Sequence, residues 1–282
     1  NGGSNLDLSV AAQLEREKEK VNLFLAEVGE ENLSKSIVGR DAIRDVWILR
    51  FLIGFKWKPK ECAEKFKTMI QYRVAHNCDA IRAQMEAGSL TPSQFPGYQE
   101  HHAGYVCSFD LCSGRAKSGG PISVECTPKF DFDILMQIDT KTQDEYLVHN
   151  FEWHFYLLDQ LYLKTGSMTG FVKIFDLDKC SMKQVSVVNQ WRKVSQARQE
   201  RLGLNILECY PECFAKVLVV NTPSFFAVLW KLIKPFVPPR TADKVKVESN
   251  SKKAKEKMLD LVDAAVLPSF LGGEFAGEWM MK

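Results

Sequence analysis

Asp131 and Asp133 stand two residues apart and could act as paired carboxylates, one giving and one taking a proton. Acidic pairs of this kind are common on surfaces, and a solvated loop explains this one. His154 could serve as a general base. It lies on an apolar helical stripe with no partner in sequence reach, which reads as a core or groove-lining histidine. Ser167, between Gly166 and Gly170, is off register for a nucleophile elbow and reads as a turn. Cysteine pairs such as Cys107/Cys112 and Cys209/Cys213 match neither a zinc ribbon nor a CxxC redox pair, and the five histidines form no HExxH. GxGxxG, GxxxxGK[ST] and GxSxG are missing as well. No catalytic residue, metal ligand or cofactor is therefore assigned, and the expectation is a protein that does not work by covalent catalysis.

The elements around these residues change character along the chain. Residues 9–28 read as a charged helix with Leu14, Val21, Leu25 and Val28 on one stripe. Ile43, Val46, Trp47 and Phe51 form a second stripe, and Cys62, Phe66, Met69 and Ile70 a third. Gly88 to Pro92 breaks the helical pattern. Beyond it, strands are expected at 105–109, 122–126, 171–176, 217–220 and 244–247, with a Gly/Ser turn at 113–120. Helices are expected around Leu147–Leu161, over 181–201 and over 224–234. Strands alternating with helices predict an α/β sheet, partly parallel. The expected division is a helical lobe over 1–90 and an α/β lobe over 91–282.

With 45% hydrophobic and 26% charged residues, the chain is neither disordered nor fibrous. Its net charge of +2 argues against a nucleic-acid partner. Sparse cysteines suggest a reducing compartment, and the sequence lacks an apolar run of 18 residues. Asn1-Gly2-Gly3-Ser4 reads as a domain edge, with the natural N-terminus expected upstream.

The strongest pattern lies in 210–246. It runs Tyr210-Pro211-Glu212, an apolar strand to Asn221, Thr222-Pro223, and then a short aromatic helix with Phe225, Phe226, Trp230 and Lys234. Pro235-Phe236, Arg240, Thr241 and Lys244 follow, and Leu267-Pro268 with Gly272-Gly273 closes the series. In this order the motifs resemble the CRAL-TRIO lipid-binding family, especially its phosphatidylinositol-transfer branch. Leu49-Arg50-Phe51-Leu52 with Lys56 and Tyr72-Arg73 resembles that family's helical N-terminal domain, and the likeness covers about 40–275.

The resemblance implies a helical lobe followed by a lobe with a mixed, partly parallel sheet. That sheet would floor an apolar lipid pocket closed by a gate helix at about 224–237. It further implies that Glu212 meets inositol hydroxyls, while Thr241 and Lys244, helped by Arg240 and by Lys56, hold the phosphate. Phe55 replaces a second basic residue of the family's phosphate clamp. Where phosphatidylcholine-binding members carry hydroxyl residues, this chain has Phe171 and Lys173. Strand alternation puts Phe171, Lys173 and Phe175 on one face. If that face lines the pocket, with His154 among the lining, Lys173 needs an anion; in another register it is an exposed lysine.

Phe225, Phe226, Trp230, Lys234 and Phe236 would dock the gate on a membrane; plain core packing is the other reading of its aromatics. From Phe225 to Lys257 nine basic residues face three acidic ones, a local excess suited to an anionic bilayer. The expected function is extraction and exchange of phosphatidylinositol and a second hydrophobic lipid, with presentation to a lipid kinase as a further role. The expected location is cytoplasmic and transiently peripheral on membranes. A carrier of a tocopherol-, retinoid- or squalene-like molecule is the alternative, and an α/β enzyme with a non-local site is the alternative of another class.

Overall fold

The computed structural model describes residues 9–104, 108–127 and 130–276, without the side chains of 108–114. The helices, in chain order, are α1 (Val10–Arg16), α2 (Lys18–Val28), α3 (Glu30–Leu33), α4 (Ile37–Arg40), α5 (Arg44–Gly54), α6 (Pro59–Ala75), α7 (Cys78–Glu86), α8 (Tyr98–Gly104), α9 (Phe132–Gln137), α10 (Thr140–Thr165), α11 (Lys183–Leu202), α12 (Ile206–Cys209), α13 (Phe226–Ile233), α14 (Pro239–Asp243) and α15 (Ser251–Leu261). The strands are β1 (Ser108–Arg115), β2 (Pro121–Cys126), β3 (Phe171–Asp176), β4 (Phe214–Val220) and β5 (Val245–Glu248).

The chain divides into two compact units. The first holds 1–90, 148–169 and 206–213, and the second holds 91–147, 170–205 and 214–282. Most of α10, and all of α12 with the Tyr210-Pro211-Glu212 motif, therefore belong with the N-terminal helices.

The first unit is helical. Its core places Phe66 edge-on to Phe24 at 5.4 Å and to Phe51 at 5.0 Å, with Trp47 against Phe155 at 4.9 Å. The single helix expected over 9–28 is two helices, because Glu17 leaves helical geometry at φ −107°, ψ 27°. Ser9 caps the first of them by accepting from the Ala12 N–H.

The second unit is an α/β lobe. Its sheet runs β1-β2-β3-β4-β5, with β1 antiparallel to β2 and the remaining neighbours parallel. The mixed, partly parallel sheet read from the sequence is thus present. The Gly/Ser turn is shorter than 113–120, since β1 continues to Arg115. The expected strand start at Tyr105 lies outside the described residues.

Alternation gives the sheet two different faces. Val124, Val172, Ile174, Leu218 and Val220 pack against Ala254 and Met258 of α15 and against Val262 and Leu267. Val217 and Val219 point the other way, into a cluster with Leu177 that Phe175, Phe214, Val245 and Phe226 of α13 join. The helix after β4 and the helix after β5 thus cover opposite faces.

Candidate functional site

In the first unit, Lys56 and Glu212 close two loops. Both adopt left-handed backbone, at φ 59° and φ 57°, and Trp57 follows at φ 56°. Each such non-glycine residue costs roughly 1–2 kcal/mol, so the surrounding packing must hold it. Gly54 is part of that packing: a Cβ there would come 2.8 Å from the Pro211 Cβ. The loop carrying Lys56 and the turn carrying Glu212 therefore lie against one another. Arg50 secures the same place from beneath, donating to the Glu212 carbonyl and to the Thr169 carbonyl, both at 2.9 Å. It is fully buried, and burial lowers its pKa. Lys56 is exposed and Glu212 half-buried.

Behind Tyr210 lies a charged cluster that sequence reading missed. Arg73, Arg82, Glu152 and Asp159 are each at most 1% exposed. Arg73 donates to Glu152 at 2.6 Å, and Arg82 donates to Asp159 at 2.8 Å. The Tyr210 hydroxyl also donates to Glu152, at 2.6 Å, and the Trp47 indole N–H to Asp159 at 3.1 Å. Burial works against the Arg73 charge, but Glu152, Tyr210, Cys78 and Asp79 more than offset it and its pKa rises. Burial, with Glu152 beside it, pushes the Tyr210 hydroxyl well up. The signal was present: Arg73 continues the apolar stripe Phe66, Met69, Ile70, and Glu152 and Asp159 stand seven apart on one side of α10.

In the second unit, Arg240 and Thr241 sit in α14 and Lys244 caps its end. All three are half-buried. The Lys244 ammonium donates to the Phe214 carbonyl at 2.6 Å, which fixes it at the start of β4. Of the five headgroup candidates, Lys56 and Glu212 thus belong to the first unit and Arg240, Thr241 and Lys244 to the second.

The helix α13 covers 226–233 and a 3₁₀ turn continues through Phe236, within the expected gate segment. Its residues divide by face. Leu229 is buried, Phe225, Phe226 and Trp230 are half-buried, and Val228, Lys231 and Lys234 are exposed. Phe226 stacks on Trp230 at 6.4 Å, and Phe236 meets Trp191 of α11 edge-on at 5.9 Å. Phe226 is therefore part of the packing over β4 and not a wholly outward-facing side chain.

On the face toward α13, Phe171, Lys173 and Phe175 do align, and Phe171 is buried. Lys173 is 7% exposed, which overturns the exposed-lysine alternative. It donates to Ser123 at 2.8 Å and to the Glu125 carboxylate, and its ammonium lies 5.2 Å from the centre of the Phe175 ring. Pairing is what makes a lysine tolerable there. His154 is half-buried on the part of α10 that belongs to the first unit, whereas these strand residues belong to the second.

The CRAL/TRIO domain model matches residues 132–273, about half of the chain. The chain belongs to the CRAL/TRIO domain family. Among its relatives, a protein named phosphatidylinositol/phosphatidylcholine transfer protein SFH7, from Arabidopsis thaliana, is 26% identical over 235 residues. That match covers 80% of the chain and 38% of the relative. The CRAL-TRIO domain-containing protein T23G5.2 of Caenorhabditis elegans is 27% identical over 240 residues, covering 81% of the chain and 30% of the relative. The chain thus spans well under half the length of these curated relatives. The crystal structure of Sfh5 superposes with a TM-score of 0.55 over 98% of this chain and 91% of that one, at 14% identity. This last likeness shows a shared fold. Among the described residues no helix is long and apolar enough to cross a membrane.

Proposed function

We propose that this CRAL/TRIO chain binds phosphatidylinositol and exchanges it between membranes, lifting the lipid from one bilayer and delivering or presenting it at another. The observation that carries the reading is α14 with its cap. Arg240, Thr241 and Lys244 follow directly on the aromatic helix α13, and Lys244 is held at β4 by its bond to the Phe214 carbonyl. An ammonium and a hydroxyl donate to a phosphodiester, and a carboxylate such as Glu212 accepts from inositol hydroxyls. Relatives named as phosphatidylinositol/phosphatidylcholine transfer proteins support the same class of cargo. An acyl chain costs about 0.8 kcal/mol for each CH₂ left in water, so a carrier needs an apolar shelter that can open at a membrane. In this reading α13 is that moving cover, the chain is transiently peripheral on membranes of the cytoplasm, and it works without covalent catalysis.

The test is transfer of labelled phosphatidylinositol between vesicles. Glu212→Ala with Lys244→Ala is expected to lower the rate at least tenfold, since each lost charged hydrogen bond is worth about 1.5–3 kcal/mol. An unchanged rate in the folded double variant overturns the headgroup assignment. Wild-type protein that binds phosphatidylinositol vesicles yet transfers nothing overturns the exchange reading.

A further inference from the structure

The sheet face beneath α13 is apolar over β4 and β5, where Val217, Val219 and Val245 stand. Over β2 and β3 three polar side chains, Ser123, Glu125 and Lys173, share it with Phe171 and Phe175. Ser123 and Lys173 are register partners, and Glu125 lies one row further along, opposite Phe175. The three are graded in exposure: Ser123 is 5% exposed and Lys173 7%, while the Glu125 side chain keeps 22%. Lys173 is thus the enclosed member, donating to Ser123 and to Glu125 Oε1. The more open member is the Glu125 carboxylate. Lys173 engages one of its oxygens, and the other makes no hydrogen bond among the described residues.

We infer that this Glu125–Lys173 pair is a subsite for the hydroxyl group of a neutral lipid. The inference rests on the lipid-carrier reading and names the second cargo. A carboxylate whose charge is already balanced by a lysine gains little from a bare cation. Choline offers no N–H or O–H to donate. A phosphate brought to the same place meets Glu125 first and is repelled. A hydroxyl donates to the second carboxylate oxygen in a charge-assisted bond and brings no charge to be desolvated. Its hydrocarbon then continues onto the valines of β4 and β5 when α13, whose Phe226 packs over them, moves aside. A site that presents a hydrogen-bond acceptor discriminates against an analogue whose hydroxyl is blocked, because the acceptor is then left without its donor.

A diacylglycerol series keeps the acyl chains constant and changes only the third position. Intact protein is incubated with vesicles holding equal amounts of 1,2-dioleoylglycerol, its 3-acetyl ester and dioleoylphosphatidylcholine, and retained lipid is counted by native mass spectrometry. The free alcohol is expected to exceed the acetyl ester by about tenfold. Lys173→Met with Glu125→Leu removes the pair without leaving a buried charge, and it is expected to bring that ratio within about twofold of unity. Equal retention of alcohol and ester by the wild type overturns the inference, as does phosphatidylcholine as the dominant cargo or an unchanged ratio in the double variant. If the double variant does not fold, the wild-type ratio decides alone. Phosphatidylinositol transfer, measured on the wild type in a separate assay, tests the carrier reading and leaves the alcohol-to-ester ratio readable whichever way it falls.

Discussion

Phe226 and Met258 pack against opposite faces of the same sheet, Phe226 beside Val217 and Val219, Met258 beside Leu218 and Val220. Neighbouring residues of β4 thus send their side chains to two different helices. The nine basic residues counted from Phe225 to Lys257 are divided by this arrangement. Lys231 lies on α13 and Lys234 in the 3₁₀ turn that follows it, whereas Lys252, Lys253, Lys255 and Lys257 lie on α15, across the sheet. Lys257 is further engaged by Glu248 at 2.7 Å. The local basic excess read from the sequence is thus split between the two faces of the sheet.

Membrane docking should follow this division. Lys231→Ala with Lys234→Ala is expected to weaken binding to phosphatidylserine-containing vesicles by about thirtyfold at low salt, each lysine near the surface contributing about 1 kcal/mol. Lys252→Ala with Lys253→Ala should change binding less than twofold. Vesicle co-sedimentation at two salt concentrations measures both. Equal losses in the two variants would show that α15 also faces the bilayer.

The apolar side chains of α13 should separate in the same way. Phe226→Asp places a carboxylate against Leu177, Val217 and Val219 and is expected to destabilise the fold by several kcal/mol. Val228 is 48% exposed. Val228→Asp should leave the denaturation midpoint nearly unchanged while lowering vesicle binding at high salt, where apolar insertion persists and charge attraction is screened. Chemical denaturation paired with co-sedimentation checks each variant.

The cluster around Glu152 should respond asymmetrically. Arg73→Met takes away the 2.6 Å partner of Glu152 and leaves only Arg82, at 3.5 Å, against its charge in the interior, and it is expected to cost about 3–5 kcal/mol. Adding Glu152→Leu should recover a substantial part of that loss. Tyr210→Phe, which removes a 2.6 Å bond to the carboxylate, should cost about 1.5–3 kcal/mol. Urea unfolding of the single and double variants gives the coupling energy; additive costs would show that the pair does not act as a unit.

Buried thiols set the alkaline limit. Burial pushes Cys62 up to about 11 and Cys209 up to about 12, from an ordinary value of 9.0. Above pH 9 the unfolded chain releases these protons and the folded chain keeps them. Their contribution to stability is therefore fully present below pH 9 and lost as pH rises through the folded values. Cys209 alone adds a slope of about 1.4 kcal/mol per pH unit across that window. Thermal melts between pH 8 and 11 should fall steadily, and Cys209→Ala should flatten the curve.

Much of the second unit was legible along the chain. β3 occupies Phe171–Asp176 as read, because six consecutive strand residues alternate between two buried environments and carry their own period. The motif order from Tyr210 to Gly273 was enough to point to the CRAL/TRIO family, since local turn and helix signals survive without knowledge of their partners. The Gly54–Pro211 contact, the Glu152 cluster and the grouping of 206–213 with the N-terminal helices were not legible. Each depends on chain segments 58 to 162 residues apart, and periodicity carries no information about which stripe meets which. Lys173 shows the boundary most clearly. Its face followed from alternation, but whether that face was wet or enclosed, and that Glu125 would neutralise it, was decided only when β2 and β3 paired in register. A charge becomes buried through what is placed around it, and that placement belongs to the tertiary structure.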